Sequence, residues 1–357
     1  MIRMKHILMG AALSLTLLGA TSCEDGMIYE QEGDCTPRVQ FVLKKHRQAL
    51  HSVPGREPDN FYSTVESVHL FVYNAETGEL VFEQTEKTDN LNSALELGYG
   101  TSEDRCYMAV DLNPGTYHFV AWCGMDETDN NNAFHLVGND VRSGAYSHCN
   151  VKYSDATGHP VNNAKYDDLY HGVMESVVVR LDGNDPQIIP VELTKNNNDI
   201  AVWVQHTNRV LEDGEYEVVY VDSNGTMKFH DNNLESTRRE EYHAHTSTNL
   251  TASTEYNGSL VDTGALVAHI STSRLMEANQ NDARLEVRTR EGDVVFSIPF
   301  IKYVMQMQTF TDNAQYYLDC EDTYNCSFYL TGNDETFMPA RIIINNWVVV
   351  PAQNDEL

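Results

Sequence analysis

The chain is written as a succession of short runs in which β-branched and aromatic residues alternate with polar ones, cut by clusters of Asn, Asp, Gly and Pro. Alternation with a period of two puts one side of a strand in a core and the other in water. Runs of that kind bury their apolar side by laying sheet on sheet. Residues 38–45 alternate Val39, Phe41 and Leu43 with Gln40, Val42 and Lys44. Residues 65–73 and 79–85 flank the turn sequence 74–78 and predict a hairpin. Residues 105–112 and 116–123 flank Asn113-Pro114-Gly115, and runs at 173–181 and 187–193 complete a first unit. The section 124–168 is polar, rich in Asn, Asp and Gly, and shows no comparable run.

Lys195-Asn196-Asn197-Asn198-Asp199 has no apolar residue and sits between two β runs, which makes it the best boundary in the chain. Beyond it the style repeats, with strands expected at 200–206, 215–221, 226–230, 264–271, 284–290, 294–299, 324–330 and 341–350. Asp222-Ser223-Asn224-Gly225 predicts a hairpin turn, as does Glu291-Gly292-Asp293. Only residues 300–307 read as a short helix. The expectation is an all-β chain with a β-sandwich in each of two units, 35–195 and 196–357.

The first 22 residues are of a different kind. Arg3, Lys5 and His6 make a basic start, residues 7–19 are apolar and small, and Ala20-Thr21-Ser22 precede Cys23. That is the pattern of a secretory signal with a small-residue cleavage site. Its apolar run is shorter than the roughly 20 residues a spanning helix needs. A Cys directly after the cleavage site resembles a lipobox, so Cys23 is the expected lipid attachment site and residues 1–22 the expected signal peptide. Two acyl chains at such a site hold a protein firmly, where one alone binds reversibly. Residues 23–34 are acidic and polar and read as a flexible tether. Glu24 and Asp25, directly after the lipid site, resemble the surface-export signal of such lipoproteins, so exposure at the cell surface is expected.

With Lys and Arg at 24 against Asp and Glu at 53, the net charge is −29. Such a surface repels nucleic acid and anionic head groups, so neither is an expected partner. Six cysteines remain besides Cys23: Cys35, Cys106, Cys123, Cys149, Cys320 and Cys326. An even number in an exported chain permits disulfides, and buried thiols are the alternative. Chemical motifs are few. Gly98-Tyr99-Gly100 lacks the third Gly of a dinucleotide loop. His243-Ala244-His245 offers two imidazoles but no third ligand, and residues 126–132 are oxygen-rich without the Gly and closing Glu of a calcium loop. Trp122, Trp203 and Trp347 each lie within a β run and read as sheet-packing residues. No catalytic constellation, cofactor motif or small-molecule site emerges.

Several segments, in their order, resemble the FimB/Mfa-type family of fimbrial anchor lipoproteins of Bacteroidales pili. They are Gly33-Asp34-Cys35-Thr36-Pro37, the run 65–73, the run 112–124 through Trp122-Cys123-Gly124, and Asp168-Leu169-Tyr170-His171-Gly172. In the second half they are the segment 317–325 and Arg341-Ile342-Ile343-Ile344-Asn345-Asn346-Trp347. The resemblance implies two tandem transthyretin-like β-sandwich domains, no enzymatic activity, and a palmitate-bearing lipid anchor in the outer membrane. It implies a place at the base of a pilus, with the shaft subunit (fimbrillin) as partner. Shaft subunits of this family lose their first strand to a protease, and a neighbour's strand fills the groove that opens. An anchor keeps its first strand and its lipid, meets the last shaft subunit by strand addition, and so limits growth.

Three rival readings follow, the last a β-sandwich hydrolase, which the missing catalytic constellation disfavours. A tip or accessory adhesin would lose its first strand at an Arg such as Arg47 or Arg56. A glycan-binding surface lipoprotein would use an exposed Trp such as Trp203. A disulfide between Cys35, which opens the first strand, and Cys123, which ends a strong one, is expected within the matching segments. Cys320 and Cys326 depart from the residue types the family pattern suggests, which leaves an additional disulfide open. Finally, the segment from Trp347 through Val348, Val349 and Val350 is the candidate donor strand, with Val348 and Val350 on its groove-filling face. The competing reading makes it the closing strand of the second domain.

Overall fold

The computed structural model describes residues 35–43, 61–93, 96–98, 106–125, 134–138, 149–153, 163–181, 185–206, 209–231, 233–234, 238–256, 259–306, 313–331 and 338–349. The first half contributes β1 (Arg38–Leu43), β2 (Ser67–Asn74), β3 (Leu80–Lys87), β4 (Asn92–Ser93) and β5 (Cys106–Ala109). It continues with β6 (Gly115–Cys123), β7 (Phe134–Gly138), β8 (Cys149–Tyr153), β9 (Tyr170–Val179) and β10 (Ile188–Lys195). One helical turn, α1 (Phe61–Thr64), precedes β2.

Eight of these strands join in the order β3-β2-β6-β9-β10-β1-β5-β4. β9 and β10 pair only at Thr194 with His171 and Lys195 with Tyr170. The sheet therefore folds at that corner into two leaves that face each other. Between them lie Val39 and Phe41 of β1, Val68, Leu70 and Val72 of β2, and Phe119 of β6, all fully buried. Gly172 makes the corner possible, because a Cβ there would stand 2.6 Å from Val191 Cγ1 and 2.7 Å from the Glu192 carbonyl oxygen. Gly172→Ala is accordingly expected to cost about 1–3 kcal/mol as overpacking, read as a lower urea midpoint with an unchanged slope.

The second half contributes β11 (Asn197–His206), β12 (Tyr216–Asp222), β13 (Thr226–Lys228), β14 (Glu240–His243), β15 (Thr246–Tyr256) and β16 (Ser259–Ser273). Then come β17 (Arg284–Thr289), β18 (Val294–Ile298), α2 (Phe300–Gln306), α3 (Ala314–Cys320), β19 (Thr323–Thr331), β20 (Met338–Ile344) and β21 (Trp347–Val349). A six-stranded sheet, β15-β16-β11-β19-β20-β21, and a four-stranded one, β14-β12-β17-β18, share a core with Val202, Val204, Tyr220, Leu285, Val287 and Phe328. The architecture is all-β sandwich, as the periodicity predicts, and α2 lies where the short helix was expected.

Four expectations need correction. The 124–168 section holds two strands, and β8 pairs with β13 of the second half, so the halves share a three-stranded sheet. The 222–225 turn joins strands of different sheets and is no hairpin. Its Asn224 is fully buried and donates to the carbonyls of Ser273 and Arg274, which draws the turn inward. The Cys35–Cys123 disulfide is not made: Cys123 is a buried free thiol whose pKa burial drives far up. Register explains why. Cys123 is level with Tyr170 and hence with Lys195, whereas Arg38 is level with Ile188. At about 3.3 Å per residue the two levels are roughly 23 Å apart, and Cys35 lies three residues further away. Cys326, on the core side of β19, is likewise a buried free thiol, so it is not bridged to Cys320.

Candidate functional site: first strand, last strand and the joint between the halves

β1 sits inside the first sandwich, parallel to β10 from Arg38–Ile188 to Leu43–Leu193 and antiparallel to β5 from Arg38–Ala109 to Phe41–Cys106. Both of its edges are paired, and Val39 and Phe41 fill the core at zero exposure. Phe41 stacks on Phe61 with ring centroids 5.7 Å apart. Neither edge of β1 is left open.

The last strand is placed differently. β20 turns through Asn345 and Asn346, with φ of 44° and 70°, into β21. Two consecutive left-handed residues make the tight turn that matches strand twist, and Asn tolerates that conformation. β21 pairs Ile342 with Val349, Ile343 with Val348 and Ile344 with Trp347. It is the outermost strand of its sheet among the described residues. Val349 reaches the core, while Trp347 and Val348 are 57% and 51% exposed. The candidate donor thus closes its own sheet in this state, and Val350 lies outside the described residues. Cys23, Arg47, Arg56 and the 126–132 segment also lie outside them.

Between the halves is a joint that the sequence announced only as a boundary. Lys195, Asn196, Asn197 and Asn198 are all buried. Asn197 accepts from the Leu169 amide at 3.0 Å. Asn198 accepts from the Leu275 amide and donates to the Glu321 carbonyl. The Lys195 ammonium lies 2.8 Å from Asp168 and 3.5 Å from Asp322. Burial works against its charge, but the two carboxylates outweigh it and the pKa is raised. Nearby, the Arg274 guanidinium grips Asp319 with two 2.8 Å bonds.

The apolar side of the joint is Trp122, which donates to the Phe229 carbonyl at 3.1 Å, and His171, whose Nε2 donates to the same oxygen at 3.0 Å. The two rings meet across paired strands at a 54° tilt, 4.4 Å between centroids. Gly124, at φ 82°, lets the chain pass the Asp168 carbonyl, which a Cβ would approach to 1.9 Å. Gly124→Ala is expected to cost upwards of about 2 kcal/mol, because strain at positive φ adds to a clash with backbone; a lowered Tm with an unaltered circular-dichroism spectrum is the check.

Chemistry is sparse elsewhere. His243 is held by Glu217 at 2.6 Å, while His245 meets the Thr246 hydroxyl at 3.1 Å, so the pair does not converge. Among the described residues no group of His, Cys, Asp and Glu is arranged to hold a metal ion. Nor is any helix there long and apolar enough to cross a membrane.

Residues 31–351 match the sequence model of the fimbrillin-A associated anchor proteins Mfa1 and Mfa2. No curated protein sequence matches the chain. Among solved structures it is similar to a candidate adhesin of Bacteroides thetaiotaomicron, with a TM-score of 0.69 at 23% identity over 89% of this chain and 98% of that one. A candidate polysaccharide-binding protein of the same organism gives 0.66 at 22% identity, over 90% and 100%. The fimbrial anchor protein Mfa2 of Porphyromonas gingivalis gives 0.56 at 15% identity, over 88% and 99%. At these identities the likeness is one of fold.

Proposed function

This chain belongs to the family of fimbrillin-A associated anchor proteins Mfa1 and Mfa2, and from that premise we propose that it holds a pilus to the outer membrane and ends the pilus at its base. The family makes it a fimbria-associated structural protein. The finer reading rests chiefly on β1. That strand is paired on both edges and buried at Val39 and Phe41, so it leaves no groove for a further subunit to fill. A subunit whose own first strand occupies that place can terminate a chain of strand exchanges.

The remaining contact with the shaft falls to the other end of the polypeptide. Trp347, Val348 and Val349 form the outermost described strand of the sheet, whose backbone donors and acceptors meet an incoming strand, and Val350 follows them in sequence. The lipid on Cys23 tethers the assembly through the 23–34 linker. Replacing Val348 and Val350 with Asp is expected to leave the protein folded and lipidated while pili are shed into the medium. Full-length pili retained on cells carrying that variant would sink the role of this segment. Cys23→Ser is expected to abolish detergent-phase partitioning, and unchanged partitioning would remove the lipid assignment. A mature N-terminus after Arg47 or Arg56 would favour the tip reading instead.

A further inference from the structure

The two sheets of the second half turn very different faces to the outside. On the four-stranded sheet, Val219 and Val221 are roofed by charge: Arg288 bonds Glu241 at 2.9 Å and Glu286 at 2.8 Å, Arg239 bonds Glu286 at 3.4 Å, and His243 bonds Glu217 at 2.6 Å. That cover is the ordinary way of keeping a sheet from sticking.

Among the described residues the outer face of the six-stranded sheet carries no comparable set of ion pairs. Register fixes which residues share it. One row crosses all six strands: Thr248, Val267, Trp203, Ser327, Ile343 and Val348. Trp203 stands near its centre at 43% exposure, and Val348 ends it at 51%. The rows on either side place Ala201 and Gln205 along β11, and Leu250, also 43% exposed, on β15. In a chain with 53 acidic residues, Asp199 is the one acid at an outward position of the described strands of this sheet, and it accepts from Ser271 at 2.7 Å. The basic side chains of this face on the described strands are Arg341, level with Tyr329, and His269, level with Ala201; depletion of acid around an exposed aromatic, with Arg retained, is the composition of an interface core.

We propose that this face is the docking surface for the body of the shaft subunit whose strand meets β21, a deepening that rests on the anchoring reading above. Continuity selects the occupant. The row ends on β21, so a strand added there places its own outward side chains next to Val348 and extends the row. The subunit carrying that strand is thereby brought over the face. A second copy of this chain is a poorer fit, since two chains of net charge −29 repel each other at close range. The partner this face recognises presents apolar and hydroxyl groups, with an acceptor for Arg341, beside an extended strand with apolar residues at alternate places.

The test is binding of the full mature chain to the purified shaft subunit of the same pilus, read as a dissociation constant. Trp203→Arg is expected to weaken it at least tenfold, with circular dichroism and Tm as in the wild type. Should that variant misfold, Trp203→Thr, which keeps a good strand residue, is expected to weaken it in the same direction. Wild-type affinity in a folded Trp203 variant, alongside loss of binding in Val348→Asp, overturns the inference and spares the anchoring reading. No binding by the wild type overturns both. A wild-type dimer in sedimentation that Trp203→Arg turns to monomer, with shaft binding intact, reassigns the face to a second copy. Retention of soluble starch or mucin glycans that Trp203→Arg abolishes, again with shaft binding intact, reassigns it to neutral glycan; either result overturns the proposal.

Discussion

Asp319→Ala is expected to destabilise the protein by about 3–5 kcal/mol, the cost of leaving a buried charge without its partner. The side chains of Asp319 and Arg274 are only 3% and 11% exposed, so water cannot readily take the carboxylate's place. Asp319 also accepts from Gln315 at 2.9 Å within α3, and Gln315 in turn donates to the Leu275 carbonyl and accepts from the Glu277 amide, which ties α3 to the segment after β16. The backbone around Arg274 is committed as well: its amide donates to the Asn196 carbonyl and its carbonyl accepts from Asn224. Loss of the carboxylate therefore loosens the place where the two halves meet. Urea unfolding gives the number. The companion variant, Arg274→Met with Asp319→Ala, removes both charges and is expected to lose less than Asp319→Ala alone. Equal losses would mean that the stranded guanidinium is not the source of the cost.

What the sequence disclosed and what it hid divide along physical lines. β2 and β6 were plain, because both their faces are buried and β-branched and aromatic residues run through them with little interruption. β15 was missed. Its Thr, Ser and Asn side chains bury almost nothing, and it is a strand only because all eleven residues pair with β16. No local pattern encodes such a partner. Residues 222–225 have the composition of a hairpin turn and do turn the chain, but Asn224 goes inward to meet carbonyls 49 and 50 residues away. The Asn run at 196–198 suggested a change of unit by its lack of apolar residues. Its burial was invisible, since an Asn amide is the same residue in a solvated linker and in a buried polar joint. The Cys35–Cys123 pairing failed for the same reason: both cysteines flank strands, and only the register reveals opposite ends of a sheet.

Those differences bear on the two terminal strands. β1 was legible from alternation alone, and its paired, buried position is the observation on which the proposed terminating role rests. β21 was ambiguous because a donated strand and a closing strand need the same residues. The observed turn at Asn345 and Asn346 makes it a closing strand with Val349 in the core and Val348 outward. An anchor contact that uses it therefore adds to its free edge or peels it from β20. The three pairs to β20 are few, so peeling is the smaller rearrangement compared with extracting β1.

Acid is expected to weaken the joint through His171. The imidazole is fully buried, and burial, with the nearby Arg274 charge, lowers its pKa to about 3. His230 acts in the same direction, while the Phe229 carbonyl and Asp231 oppose it without prevailing. In the folded protein the ring stays neutral where the unfolded chain, with a pKa near 6.5, takes up a proton. The stabilising contribution is therefore complete above pH 6.5 and drains away as the pH falls towards 3, by about 1.4 kcal/mol per unit. Asp222 works the other way. Burial raises its pKa from 3.8 to about 6 despite bonds from Tyr220, Ser223 and Asn279, so the folded state gains as that carboxyl protonates between those values. The whole-protein curve mixes the two, and the useful quantity is a difference. Wild type minus His171→Gln, measured by urea unfolding at half-unit steps from pH 7.5 to 4, cancels Asp222 and isolates the imidazole. Gln keeps a donor for the Phe229 carbonyl and does not titrate. The difference should hold level down to pH 6.5 and then fall by roughly 3 kcal/mol by pH 4. A flat difference across that range would mean that His171 protonates in place, and that the contact between Trp122, His171 and Phe229 opens readily enough to admit water.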